Sequence, residues 1–236
     1  MIVSHQHKFI FIKTRKTAGT SVEVALTGHC GPHDIITSIF PRNSEQARLE
    51  STGRGQQNTR VPILHRHARD LGVWLLRHRC RQAPHYQSHR PASQIKWSLP
   101  RLVFSDYLKF TVVRNPFDRA ISLYYWMTHN RNPRPSFSEY IQNQKPRLLS
   151  DWWMYTLGGT PVTDFIIRFE HLQEDLSEVS KKLNLGPVDV TSITEKSGTR
   201  KDRRPYSELY TSKDKELIER VCRNELDAYG YQFEKA

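Results

Sequence analysis

The chain has 236 residues, 37% of them apolar and 11% aromatic, with a formal net charge of +12. That content suits one compact core and is short for two domains, and no apolar run reaches the roughly 20 residues that cross a bilayer as a helix. The positive balance favours an anionic ligand without choosing among nucleotide, acidic glycan, nucleic acid and membrane surface, and three well-separated cysteines argue for reduced thiols rather than a disulfide framework.

The N-terminal stretch MIVSHQHKFIFIK lacks a basic segment followed by a long apolar one, so no signal peptide is expected and the expected location is cytoplasmic. Phe9, Ile10, Phe11 and Ile12 form a short apolar run with the composition of a buried strand. The chain then passes through Lys13-Thr14-Arg15-Lys16-Thr17-Ala18-Gly19-Thr20-Ser21 into Val22, Val24, Ala25 and Leu26, a pattern that predicts a helix over 20–27 ending at Gly28. Strand, basic loop and helix N-terminus together describe a pocket for phosphate or sulfate. The first N–H groups of a helix have no partner within it and its dipole is positive there. Gly19 is expected to let the backbone approach a ligand, Thr17, Thr20 and Ser21 add hydroxyls, and Lys16 adds a mobile charge. The competing reading is an ordinary βα turn with a surface lysine. The P-loop pattern G-x-x-x-x-G-K-[ST] does not fit, because the first glycine is missing and the lysine precedes the remaining one.

Residues 28–60 carry few apolar positions and many turn formers, which predicts a long surface excursion with one short helix near 44–50. His29, Cys30 and His33 match no common zinc spacing, so a solvated loop is the preferred reading there. His65 and His67 form an H-x-H pair with no third ligand cluster in view. A histidine titrates near neutrality and can take a proton from an alcohol; the alternative is a pair of surface histidines, among 11 in the chain. Residues 77–101 hold six Arg or Lys and no acid, with three histidines, Tyr86 and Trp97 interleaved. That segment reads as a nucleic-acid patch, a landing surface for an acidic acceptor, or a solvated loop. Leu102 to Asp106 is similar to a Walker B strand.

A second strand-to-helix unit covers 108–125. Leu108, Phe110, Val112 and Val113 predict a buried strand, Arg114-Asn115-Pro116 a turn, and Ala120, Ile121, Leu123, Tyr124 and Met127 recur at helical spacing. Arg114 can grip a phosphate with two N–H groups and Ser122 can donate from the following helix, while Arg119 reads equally as ligand contact or buried ion pair. Helices are expected over 136–143 and 148–156, where Trp152, Trp153 and Tyr155 serve either acceptor binding or the core. A third strand is expected over 164–170, with Glu170 structural, then a helix over 171–183. Residues 196–204 carry five basic residues, and a closing helix over 213–229 ends at Gly230.

Lys16-Thr17-Ala18-Gly19-Thr20-Ser21 resembles, letter for letter, the 5′-phosphosulfate loop of the sulfotransferases that use 3′-phosphoadenosine-5′-phosphosulfate (PAPS). Arg15 stands where many relatives carry proline. Arg114, Pro116, Arg119 and Ser122 resemble that family's 3′-phosphate motif, R-x-P-x-x-R-x-x-S, and the I-I-R-F-E segment and Y-G-Y-Q-F-E ending are also similar. The resemblance implies an α/β fold: a single domain over 1–236, a central parallel sheet flanked by helices, P-loop-like, with loop insertions at 28–60 and 77–101. It implies PAPS as donor cosubstrate, bound by Arg15, Lys16, Thr17, Ala18, Gly19, Thr20, Ser21, Arg114 and Ser122. Arg200 and Lys201 are implied over the 3′-phosphate. Lys16 is implied as the catalytic cation and His65, aligned on Ala68-Arg69-Asp70, as the base. No metal is expected. The implied partner is a hydroxyl-bearing acceptor, such as an acidic glycan or a small molecule, and nucleic acid is disfavoured. Animal relatives are often Golgi proteins with an N-terminal anchor; this chain resembles a bacterial, cytoplasmic version. The rival readings are a kinase using Mg²⁺ and ATP, and a non-catalytic anion or nucleic-acid binder on the same fold.

Overall fold

The computed structural model of the chain describes residues 1–61, 85–191 and 204–233. His65, His67, Arg200 and Lys201 therefore lie outside the described residues, as do residues 77–84 of the basic segment 77–101.

The framework is a five-stranded mixed sheet. Strands β1 (Ile2–Ser4), β2 (Phe9–Ile12), β3 (Ile35–Ile36), β4 (Leu108–Val113) and a later strand at Phe165–Arg168 stand in the order β3, β1, β2, β4, Phe165–Arg168. β2, β4 and Phe165–Arg168 run parallel, with Phe9 opposite Leu108 and Phe110 opposite Phe165. β1 pairs antiparallel to both β2 and β3, so the expected parallel sheet holds for β2, β4 and Phe165–Arg168 and the sheet as a whole is mixed. β1 and β3 are two or three residues long and give no periodic signal of their own.

β2 is buried on both faces, which is why it reads as an unbroken apolar run. Phe9 and Phe11 pack on one face with Phe110, Val112 and Ile167 against Val22 and Leu26 of helix α1 (Gly19–Thr27). Ile10 and Ile12 pack on the other face with Ile95, Leu99 and Tyr155. Each fully buried Phe or Ile here contributes on the order of 1.5–3 kcal/mol.

In the excursion 28–60, helix α2 (Arg42–Thr52) is where the expected short helix was placed, and β3 precedes it. Helix α3 (Ala92–Ser98) buries Ala92 and Ile95 in the core, so the end of the basic segment 77–101 is a packed helix rather than a loop. Helix α4 (Arg101–Asp106) replaces the expected Walker B-like strand. Its apolar residues are not one buried run: Phe104 points inward while Leu102 is 71% exposed. Helix α5 (Pro116–Thr128) follows β4 with proline in its first turn and Asn115 as N-cap, accepting a hydrogen bond from the Phe117 N–H at 3.0 Å.

Helices α6 (Phe137–Gln142) and α7 (Pro146–Leu149) follow, and Thr156 begins a two-residue strand, so the helix expected over 148–156 is broken. We number the short hairpin strands β5 (Thr156–Leu157) and β6 (Thr160–Pro161), and the strand at Phe165–Arg168 β7. Helix α8 (Leu172–Lys182) covers the sheet beside α1. The closing helix is two, α9 (Ser212–Val221) and α10 (Arg223–Tyr229), parting at Cys222, with Gly230 left-handed at the end. No helix among the described residues is long and apolar enough to cross a membrane.

Because β2, β4 and β7 are parallel, their C-terminal ends open on one edge of the sheet. The segments beginning at Lys13, Arg114 and Phe169 meet there, the usual place for a ligand crevice in a parallel sheet.

Candidate functional site

A cavity of about 720 Å³ sits at that edge, within the range of small-molecule sites. Lys13 to Ser21 line one side, Arg114, Ser122 and Trp126 another, and Ser38, Phe40, Ser88 and His89 a third.

The loop after β2 is held in an unusual backbone path. Lys16 and Ala18 both have positive φ, 60° and 57°. Non-glycine residues pay for that conformation in strain, which persists where the surroundings enforce it and clusters at functional sites. Ala18 is the N-cap of α1, and no side chain caps the helix. An alternation of left- and right-handed residues feeding a helix start turns successive N–H groups toward one concavity, suited to an anion.

Three cations in the loop have three different fates. Lys13 is buried and pairs with the fully buried Glu23 of α1, and its Nζ donates to Thr20 Oγ1 at 3.3 Å. Burial alone would raise the Glu23 pKa; the Lys13 ammonium and the Met1 α-ammonium outweigh it and hold Glu23 below its ordinary value. Arg15 lines the cavity, but its guanidinium is held at Asp151. Its Nε donates to Asp151 Oδ1 at 2.6 Å, its backbone N–H to Asp151 Oδ2 at 2.7 Å, and its guanidinium also reaches the carbonyls of Arg147 and Ser150. Lys16 alone of the three reaches across the cavity, its Nζ 4.7 Å from the centre of the Trp126 ring. The geometry thus gives Arg15, expected as a donor-binding side chain, a tether to Asp151.

Asp151 is shared. Arg119 of α5 contacts it at 3.0 Å and Glu225 at 3.4 Å, so Arg119 is a buried ion-pair residue. Burial would raise the Asp151 pKa, but Arg119 and Arg15 beside it lower it overall. Thr17 is also turned inward: its Oγ1 meets Thr14 Oγ1 at 2.9 Å, and Thr14 Oγ1 donates to the Val112 carbonyl at 2.5 Å. Gly19 also serves the packing of the loop. A Cβ there would lie 2.8 Å from Lys13 Cγ, so the missing side chain is what lets Lys13 pass to Glu23.

The β4 end contributes side chains. Arg114 stacks on Phe169 with its guanidinium carbon 4.0 Å from the ring centre. Its Nε donates to Asp118 Oδ2 at 2.9 Å, and one NH group reaches the Lys16 carbonyl at 3.0 Å. That last bond ties the two motifs together, 98 residues apart in sequence. Ser122 lines the same cavity as Lys16. Glu170 accepts from the Asn115 N–H and from Tyr231, each at 2.9 Å, consistent with its structural reading. Trp152 and Tyr155 pack in the core, while Arg15 and Arg147 cover Trp153.

Four contributors were missed at the level of sequence: Glu23, Asp151, Phe169 and His89. Glu23 is a lone acid on an otherwise apolar helix, and Asp151 an acid beside the tryptophan pair. Both signals invite a search for a buried cation.

Fold and cavity together define an α/β protein with an anion-binding crevice at the ends of its parallel strands. The model of the sulfotransferase family matches residues 1–232, and the chain belongs to that family. An uncharacterised protein of Archaeoglobus fulgidus is 29% identical over 107 residues, 40% of this chain and 82% of that protein. Membership of the family supports sulfuryl transfer as the general activity.

Proposed function

We propose that the chain transfers a sulfuryl group from PAPS to an acceptor hydroxyl on a carbohydrate or small metabolite. The observation carrying this is that Lys16, Arg114 and Ser122 line one cavity, with Arg114 bonded to the loop at the Lys16 carbonyl. PAPS is anionic at both ends, and two cradles on one crevice fit a ligand so built.

In this reading the Thr17–Ser21 backbone and the N-terminus of α1 receive the phosphosulfate, and Lys16 sits where charge builds on the departing oxygen. Arg114 and Ser122 hold the 3′-phosphate. Arg15 acts by fixing the loop to Asp151. Arg200 and Lys201 over the 3′-phosphate, and His65 as base, remain part of the proposal from the family resemblance and lie outside the described residues. The kinase alternative drew on a strand at 102–106; the helix there removes that support.

The reading is tested by thermal shift and by transfer. Adenosine 3′,5′-bisphosphate should stabilise the protein without Mg²⁺ and ATP should not. A cell extract supplied with PAPS and the protein should yield products heavier by one SO₃ group. Lys16→Ala should lower turnover about 10²–10³-fold, the usual cost of removing one group that stabilises developing charge. Stabilisation by ATP with Mg²⁺ alone, or RNA binding with a steep salt slope and no transfer, would favour the rival readings.

A further inference from the structure

Among the described residues five large apolar side chains are markedly exposed, and two of them, Phe40 and Met127, line the cavity that holds Lys16 and Arg114. Phe40 is 75% exposed and Met127 45%. One exposed apolar side chain is ordinary; several facing one crevice mark a surface that a ligand covers. Leu123 and Trp126 line the same cavity and stand four and one residues before Met127, so all three share one face of α5. Leu148 of α7 joins them. This apolar strip lies at the Lys16 end of the crevice. The Lys16 Nζ is 4.7 Å from the centre of the Trp126 ring, and Arg15 ties the chain around Leu148 to the loop through the Arg147 and Ser150 carbonyls. Phe40 is presented by a fixed segment: Ile39 is buried, its N–H donates to Glu45 Oε2 at 2.8 Å, and Pro41 is the N-cap of α2.

The cations around the cavity are already engaged. Lys13 pairs with Glu23 and Arg15 with Asp151. Arg114 pairs with Asp118 and, in the PAPS reading, serves the 3′-phosphate, while Lys16 serves the transferred group. Among the described lining residues no further Lys or Arg is present to meet a carboxylate or sulfate on an acceptor. Desolvation, then the Lys13 ammonium, lower the His89 pKa, so that ring adds no positive charge near neutrality.

We propose that the strip is the acceptor subsite, and that the acceptor is an uncharged alcohol with a flat apolar face beside its hydroxyl, such as a phenol, rather than an acidic glycan. The proposal rests on the PAPS reading above and narrows its acceptor. Phe40 and Trp126 offer ring faces, and the unbranched Met127 adapts to what lies against it. An apolar face laid on the strip takes apolar surface out of water on both sides. A carboxylate laid there would lose its water without gaining a partner.

The experiment loads the whole chain with adenosine 3′,5′-bisphosphate and titrates it by calorimetry with 2-naphthol and with heparosan, a glycan bearing carboxylates. Turnover of PAPS is then measured with each. 2-Naphthol should bind saturably and gain one SO₃ group, with heparosan behind it in both measurements. Phe40→Ala and Met127→Ala should each weaken 2-naphthol binding and raise its KM about tenfold, the scale on which a pocket reads small apolar differences. The thermal shift by adenosine 3′,5′-bisphosphate should be unchanged. Both side chains face solvent, so both variants should keep the wild-type Tm. Trp126 is left intact because Lys16 reaches its ring. Tighter binding or faster turnover of heparosan, no saturable binding of 2-naphthol, or unaltered 2-naphthol affinity in both variants would overturn the acceptor assignment and leave the PAPS reading standing. If the wild-type protein neither binds adenosine 3′,5′-bisphosphate nor consumes PAPS, the PAPS reading itself falls, and this inference with it.

Discussion

The two ends of the crevice build an anion site by different means. After β2, helix α1 starts without a side-chain cap, behind two residues of left-handed backbone. Its N–H groups and the loop around them form the cradle. After β4, helix α5 begins with Asn115 capping it through Phe117 N–H, so its terminus is already satisfied and anion contact must come from side chains, Arg114 and Ser122. A backbone cradle grips by shape and must be held rigid from outside. A side-chain clamp needs less: Arg114 pairs with Asp118 in the first turn of the helix that follows it and stacks on Phe169 from the end of β7. The β2 end instead borrows distant carboxylates, Glu23 and Asp151, to neutralise Lys13 and Arg15.

The largest test of that difference removes one borrowed carboxylate. Asp151→Ala leaves Arg15 with backbone carbonyls and the Trp153 ring, and Arg119 with Glu225 and the Leu149 carbonyl, in a buried setting. Stripping one partner from a buried ion pair costs about 3–5 kcal/mol, to be read as a lower denaturation midpoint. The matching change at the β4 end, Asp118→Asn, weakens a part-buried i,i+4 pair while keeping a side-chain acceptor, and should cost about 1 kcal/mol or less. Equal losses would erase the contrast. The pH dependence follows from the sign of the shift. The folded pKa of Asp151 is lowered, so its contribution is complete above the unfolded value of roughly 3.9 and disappears as pH falls through the folded value. Asp151→Ala should accordingly flatten the acid limb of the stability curve.

A smaller effect is expected at Gly19. Its φ is not in the left-handed region, so the cost of Gly19→Ala comes from contact alone. The new Cβ would meet Lys13 Cγ at 2.8 Å and Cε at 3.2 Å, and that side chain cannot swing freely because Glu23 holds its end. Overpacking of this kind costs about 1–3 kcal/mol. Donor affinity should fall along with stability, since Lys13 also carries the carbonyl and hydroxyl contacts of the loop. An alanine variant of wild-type stability and affinity would mean that Lys13 has another path to Glu23.

Both strand–turn–helix units were legible in the sequence because each is local: an apolar run, a turn, then helical spacing. What the sequence hid is long-range. Lys13, Arg15 and Lys16 look alike as letters, and only partners 10 and 136 residues away decide that two are structural. Leu102 to Asp106 misleads because a short apolar run suits a strand or a helix turn equally; the structure sorts it by which side chains face inward. β1 and β3 are too short to show alternation; β1 forms on the edge that β2 offers, and β3 on the edge that β1 offers in turn. His89 was one of three histidines in a run of positive charge, and nothing local distinguishes it until Lys13 comes alongside.

The mildest test lies at the β4 clamp. Ser122 lines the cavity one turn beyond Arg119 and contributes a single neutral hydroxyl, so Ser122→Ala removes one donor and leaves Arg114 in place. A hydrogen bond of this kind is worth about 0.5–1.5 kcal/mol, or roughly a two- to tenfold loss of donor affinity. In the proposed binding mode Ser122 holds the 3′-phosphate and not the transferred group, so the loss should fall on KM for the donor and leave kcat unchanged. Stability should also hold, because Ser122 is only half-buried. A fall in kcat at constant KM would place Ser122 beside the reacting sulfur, and the assignment of a 3′-phosphate clamp to the β4 end would have to be reversed.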